Sequence, residues 1–195
     1  MEFKNTIENE EIQKLPLKAY TGEVEIIEDK ESYEKIVPEI FLDNVLGFDT
    51  ETKPSFKKGM ANKQNVSLLQ LSNSNKTYLF RLNKFGLQKE IITLLSDPSY
   101  IKVGVSIRDD IKALQKLNKF TPEGFIELQN IVNNYGIENY SLKKLTAIVL
   151  NFRISKAQQL SNWEAETLTE KQIKYAATDS WTSREIYLKL LSSQS

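Results

Sequence analysis

Val45-Leu46-Gly47-Phe48-Asp49-Thr50-Glu51-Thr52 is the stretch from which the rest of the chain is read. It reads as a β-strand, whose alternate side chains take opposite faces, so Leu46, Phe48 and Thr50 point one way and Asp49 and Glu51 the other. Two carboxylates on one face repel each other, and a strand interior is a poor place for unpaired acids. The pair therefore reaches solvent or awaits a cation. It is read as half of a metal site whose other half comes from elsewhere in the chain.

Composition narrows the chemistry. The chain has 195 residues, no cysteine, no histidine, and 26 acidic against 26 basic side chains. That length suits one α/β domain with a real core, or at most two small ones. Without cysteine there is no disulfide framework, thiolate nucleophile or cysteine-ligated zinc or iron; without histidine there is no imidazole base and no histidine-ligated metal. Carboxylates, hydroxyls, tyrosines and lysines remain, with any hard cation that oxygen ligands hold: magnesium, manganese or calcium. Residues 1–11 are polar and rich in glutamate, unlike a signal peptide, and no apolar run approaches a membrane span. A soluble, cytoplasmic protein with no membrane partner is expected. The zero net charge hides local patches and weighs little against nucleic-acid binding.

Residues 1–20 lack sustained periodicity and are expected to form an arm packed on a single domain of residues 21–195. Residues 21–27 read as a first strand, and 30–43, with Tyr33, Ile36, Ile40 and Phe41 at helical spacing, as a short helix broken near Pro38. After the central stretch, residues 53–65 carry Pro54, Gly59 and four lysines and read as a mobile basic loop. Residues 66–71 and 77–82 flank Ser72-Asn73-Ser74-Asn75-Lys76 and read as an antiparallel hairpin. Leu87, Ile91, Leu94 and Leu95 mark an amphipathic helix ending before Asp97-Pro98, and the apolar run 101–107 reads as a central strand. In a helix over 110–118, Asp110 shares a stripe with Leu114 and Leu117 and borders the core, whereas Asp109 lies with Lys112 and Lys116 and faces water. A short last strand follows at 125–128, then helices at 129–135 and 141–150. The final helix opens on a capping box, Thr169 with Gln172, and on it Tyr175, Asp179, Thr182 and Ile186 share a stripe. Hairpin strands followed by alternating helix and strand point to one α/β mixed sheet flanked by helices.

Each acid alone has an ordinary reading: a solvated strand pair, a dipole-favoured residue at a helix start, an exposed helix position. Together, in order, they resemble the DEDD superfamily of 3′–5′ exonucleases, in its tyrosine-bearing branch that includes ribonuclease D and the Werner-syndrome exonuclease domain. Phe48-Asp49-Thr50-Glu51 resembles the family's first motif. Val103-Gly104-Val105-Ser106-Ile107-Arg108-Asp109-Asp110 resembles the next, with the metal acid at Asp110. Tyr175-Ala176-Ala177-Thr178-Asp179 resembles the third, preceded by a Werner-like Ser161-Asn162-Trp163-Glu164 and Leu168-Thr169. Ser106 stands where many members carry a further glycine. The helical nucleic-acid-binding domains that follow the nuclease domain of ribonuclease D are not expected here, so the grip on substrate is expected to come from this domain or a partner.

The resemblance implies a ribonuclease H-like fold, with three antiparallel strands and then parallel strands. It implies a metal-dependent 3′–5′ exonuclease that acts on DNA or RNA through two divalent ions, Mg²⁺ or Mn²⁺, and releases nucleoside 5′-monophosphates. By family analogy Asp49 bridges both ions, Glu51 and Asp179 complete one site, and Asp110 supports the other. Tyr175 aims the attacking water; a phenol with a pKa of about 10 is a poor base at neutral pH. Thr50, Lys53, Phe56 and Trp163 are candidate substrate contacts, the aromatic pair by stacking on a terminal base and the lysine, with Lys57, Lys58 and Lys63, by meeting phosphates. Gln70 either faces the site or braces the sheet. A catalytically silent nucleic-acid-binding module of the same fold is the alternative, and a two-carboxylate glycoside hydrolase needing no metal is a more distant one.

Overall fold

The structure, a computed structural model, describes residues 2–53 and 66–193. Phe56, Lys57, Lys58 and Lys63, with most of the expected basic loop, lie outside the described residues. In chain order the elements are α1 (Asn9–Lys14), β1 (Glu23–Ile27), α2 (Lys30–Ile40), β2 (Val45–Thr52), β3 (Val66–Ser72), β4 (Lys76–Arg81), α3 (Leu82–Phe85), α4 (Lys89–Ser96), β5 (Ile101–Gly104), α5 (Arg108–Leu117), β6 (Phe125–Glu127) and α6 (Leu128–Ile131). A 3-10 turn (Val132–Tyr135), α7 (Leu142–Leu150) and α8 (Glu170–Ser192) complete them.

The strands form one sheet in the order β1-β4-β3-β2-β5-β6. β3 runs antiparallel to both β2 and β4, while β1 runs parallel to β4, β5 to β2 and β6 to β5. The mixed sheet expected from the sequence is present, with parallel strands on both sides of the antiparallel trio. β3 is buried at every position because helices cover both faces of the sheet. On one face Leu46, Phe48, Leu69 and Leu71 pack with Ile36, Ile40, Ile91, Leu94 and Leu114 from α2, α4 and α5. On the other, Val103 packs with Ile186 and Leu190 of α8 and Leu145 and Val149 of α7, and Leu68 and Leu79 pack with Ala176.

Two local readings are corrected, and the N-terminal arm gains a helix. Pro38 does not break α2, which continues to Ile40. Lying in the last turn, the proline removes only the bond to the carbonyl of Glu34, an exposed residue. The strand expected over 101–107 stops at Gly104, because Ser106 takes a left-handed backbone with φ 63°. The amides of Ser106 and Ile107 then donate to the Glu127 carboxylate at 2.9 and 2.8 Å, which turns the chain into α5. The first twenty residues hold a helix, α1, closed by a reciprocal Glu8–Glu11 capping box. Ile7 and Ile12 bury against Ala147 of α7. Beyond α1 the chain makes a parallel bridge from Leu17 to Arg153, and the Tyr20 amide donates to Thr178 Oγ1 at 2.9 Å.

α8 is seated on β2 at Gly47. A Cβ there would stand 1.9 Å from the Ser180 carbonyl oxygen and 2.8 Å from its carbon, so backbone rests against backbone. Beside it, Ser72 Oγ lies 2.7 Å from both Ser180 Oγ and Thr77 Oγ1, and this buried row of hydroxyls satisfies itself. Arg184 donates its Nε to the Val45 carbonyl at 2.9 Å and its guanidinium to Asp43 at 3.1 Å. Gly47→Ala therefore overpacks the contact and is expected to destabilise the protein by roughly 1–3 kcal/mol, read as a lowered urea midpoint. An unchanged midpoint would mean that α8 does not rest on β2 as described.

Candidate active site

The alternation of β2 delivers Asp49 and Glu51 to the face that α8 covers, and the seat at Gly47 brings α8 down beside them. One oxygen each from Asp49, Glu51 and Asp179 lies within 4.8 Å of the others. Asp179 is buried and the two strand acids are half-buried. The Thr50 amide donates to Asp49 at 2.9 Å.

Burial raises the pKa of every acid in the trio, and crowding adds to it at Asp49 and Glu51. Burial, then the charges of Asp179 and Asp110, push Asp49 well above the usual carboxylate range. Glu51 rises to about 10, from burial first and then from Asp49, Asp179 and Asp110. Asp179 rises to about 7 through burial, held down in part by the Tyr175 hydroxyl and the charge of Lys156. Burial followed by Asp179 and Glu51 drives the Tyr175 phenol higher still above its ordinary value, so it stays protonated at neutral pH.

Asp110 stands apart from the trio. It lies in the first turn of α5, where Thr50 Oγ1 donates to its carboxylate. Its pKa is raised by burial and lowered by that hydrogen bond. Asp109, one residue earlier, is 91% exposed and pairs with Lys112, as the helical stripe indicates.

The expected substrate contacts fare differently. Thr50 borders the cavity, but its hydroxyl is committed to Asp110. Lys53 pairs with Glu164 at 3.1 Å. Trp163 is fully buried with Leu68, Leu79, Leu168 and Ala176, its ring 6.0 Å from that of Tyr175. It backs the tyrosine from within the core and is corrected as a stacking platform: an indole in the sheet–helix interior has no open face. Gln70 pairs directly opposite Asp49 and so lies on the same face. It is fully buried, and among the described residues its amide has no partner.

The acids open into a cavity of about 260 Å³ that Ser141, Lys143, Lys156 and Gln159 also line. The sequence does not single out these four, since lysines are frequent and nothing local marks 156. Three hard oxygen donors on one point, desolvated and mutually repelling, fit a divalent cation.

A family model described as 3′–5′ exonuclease matches residues 24–193. The chain belongs to the 3′–5′ exonuclease family. Among its exonuclease relatives, "Exonuclease 3′-5′ domain-containing protein 2" of Homo sapiens is 36% identical over 138 residues, 65% of this chain. "Bifunctional 3′-5′ exonuclease/ATP-dependent helicase WRN" of Mus musculus is 35% identical over 152 residues, 75% of this chain. The chain covers 22% and 11% of the lengths of those two proteins. In fold it is similar to the Aedes aegypti Nibbler EXO domain, with a TM-score of 0.79, 21% identity, and coverage of 91% of this chain and 94% of that one. These findings agree with the resemblance carried by the three acidic motifs.

The raised pKa values make stability depend on pH. Each acid binds its proton more tightly folded than unfolded, so between about pH 4 and about pH 10 the native state holds extra protons and stability falls as pH rises. In chelator, Tm is expected to drop by roughly 5 °C or more from about pH 5 to about pH 9, and Mn²⁺ to remove most of that slope. A chelator Tm that is flat with pH would show that the acids do not crowd as described.

Proposed function

We propose that this family member is a metal-dependent exonuclease that hydrolyses the phosphodiester bond at a nucleic-acid 3′ end and releases nucleoside 5′-monophosphates. The convergence of Asp49, Glu51 and Asp179 within 4.8 Å carries the reading. These three would hold one divalent ion, and Asp49 with Asp110 a second, either Mg²⁺ or Mn²⁺. When bound, such a pair supplies an activated water, charge relief at the phosphorus and stabilisation of the leaving 3′ oxygen.

The chain's own groups do the positioning. The charges of Asp179 and Asp110 both act on Asp49, which suits it to a shared ligand. The Thr50 hydroxyl holds Asp110 in one orientation, and the charge of Asp110 adds to the repulsion felt by Asp49 and Glu51. Tyr175, protonated and backed by Trp163, serves as a hydrogen-bond donor that aims the nucleophile; its raised pKa excludes it as a base near neutral pH. Lys156 is the cation that acts on Asp179, and its ammonium at the cavity wall suits a phosphate oxygen of the terminal nucleotide. The cavity is small, about 260 Å³, and suits a terminal nucleotide better than a continuous strand, while the 3′ polarity follows the family to which the chain belongs.

The test is digestion of matched 3′-labelled and 5′-labelled DNA and RNA single strands with Mg²⁺, with Mn²⁺ and with chelator. Metal-dependent shortening from the 3′ end is expected, and Asp49→Asn should abolish it while the protein stays folded. Tyr175→Phe should lower kcat roughly 10²-fold with little change in KM. Intact binding with no cleavage under any metal would instead assign the chain as a silent binding module.

A further inference from the structure

A second and larger cavity, about 660 Å³, lies on the other side of Tyr175. One stripe of α8 forms its floor, with Lys171, Lys174 and Trp181, and Leu17 and Lys18 of the N-terminal arm form its far wall. The groove neighbours the acid cavity. Tyr175 lines both, and the intervening loop alternates, with Lys156 turned to the acids and Ala157 to the groove.

Its chemistry is one-sided. Three lysines line it, no aspartate or glutamate does, and among the described residues none of the three lysines makes an ion pair. In a chain of zero net charge that is a local excess of positive charge. Between the lysines the surface is apolar: Leu17 is 55% exposed, and Trp181 is held in place by Phe152, stacked at 5.8 Å, and by Tyr20, also at 5.8 Å. Lys18 Nζ lies 5.3 Å from the centre of the Phe152 ring. Cations at the rim over an aromatic and aliphatic floor are what a single strand meets in proteins that track its backbone and stack its bases.

We propose that this groove binds the single-stranded segment that leads to the 3′ end, the nucleotides 5′ of the one held at the acids. The proposal rests on the exonuclease reading of the acid cavity and adds a track to it. Lys18, Lys171 and Lys174 meet phosphates, and Leu17 and Trp181 meet base or sugar faces. The arm, pinned to α8 through Tyr20 and Thr178, is therefore a wall of the substrate track.

The test compares two substrates on the whole chain: a 12-nucleotide single strand, and the p-nitrophenyl ester of thymidine 5′-monophosphate, which is too short to leave the acid cavity. In a Lys18→Ala/Lys171→Ala/Lys174→Ala variant, KM for the 12-mer is expected to rise roughly tenfold or more and the salt dependence of binding to weaken by about two powers of salt. Turnover of the short ester should stay within about twofold of the parent, since the groove lies outside the reacting centre. Lys112→Ala/Lys116→Ala, on exposed α5, serves as the control for loss of charge alone. Binding of a fluorescent 12-mer in Ca²⁺ reads the groove without turnover. If the parent cleaves neither substrate yet the triple variant still loses binding, the groove stands and the exonuclease reading falls. Unchanged 12-mer KM and Ca²⁺ affinity in the triple variant, or an equal loss in the α5 control, would overturn the proposal.

Discussion

The contact on which the site depends carries no charge. At Gly47 the backbone of α8 lies against the backbone of β2, with the Ser180 carbonyl where any β-carbon would have to stand. Gly47 is two residues before Asp49 on the same face, and Ser180 follows Asp179 directly. Seating one pair therefore brings the other together. The run Ala176, Ala177, Ser180 and Ser183 keeps the sheet side of α8 small enough for this approach, and all four are buried. Arg184, one turn beyond Ser180, ties the helix to Val45 and Asp43 and fixes its rotation. Rotation decides function here, because Tyr175, Asp179 and Ser183 all line the acid cavity from one stripe.

The same contact creates an electrostatic problem. Three carboxylates within 4.8 Å, taken from water, oppose one another, and Glu51 rises to about 10 through burial first and the neighbouring charges second. Such an arrangement persists only where packing over-determines it, and the neighbouring core does so with Leu68, Leu79 and the fully buried Trp163. Asp110 adds its charge to Asp49 and Glu51 from the first turn of α5. Its partner there is Thr50, a residue whose own side chain points away from Asp49. One strand thus offers acids on one face and a clamp for a further acid on the other, with Lys156 as the cation acting on Asp179.

What the sequence reveals follows the range of the interaction. Period-two alternation over 45–52, the helical stripe through Tyr175 and Asp179, and the Thr169–Gln172 capping box are local, and all three stand in the structure. The end of β5 at Gly104 escapes a reading based on apolar runs, because it depends on the Glu127 carboxylate reaching the Ser106 and Ile107 amides from the neighbouring strand. Trp163 is a comparable case. Tryptophan suits a base-stacking platform and a core equally well, and only the packing of α8 over β3 and β4 decides between them. Lys156 acquires its place from the long segment between α7 and α8, which has no periodicity to read.

α8 has a further consequence that no single motif contains. Its stripe at Tyr175, Asp179 and Ser183 closes the acid cavity, and its adjacent stripe at Lys171, Lys174, Thr178 and Trp181 floors the basic groove. Tyr175 belongs to both. The two stripes differ by a small rotation about one helix, so the seat at Gly47 fixes both cavities at once and sets the distance between them. A helix that must lie flush on a strand to gather carboxylates has its other side turned towards the arm, and there the Thr178 hydroxyl accepts the Tyr20 amide. The arm's bridge to Arg153 holds the intervening loop as well, and that loop presents Lys156 to the acids and Ala157 to the groove. Acidic centre and basic track are therefore two sides of one packing event, which is why a chain with no net charge can present both.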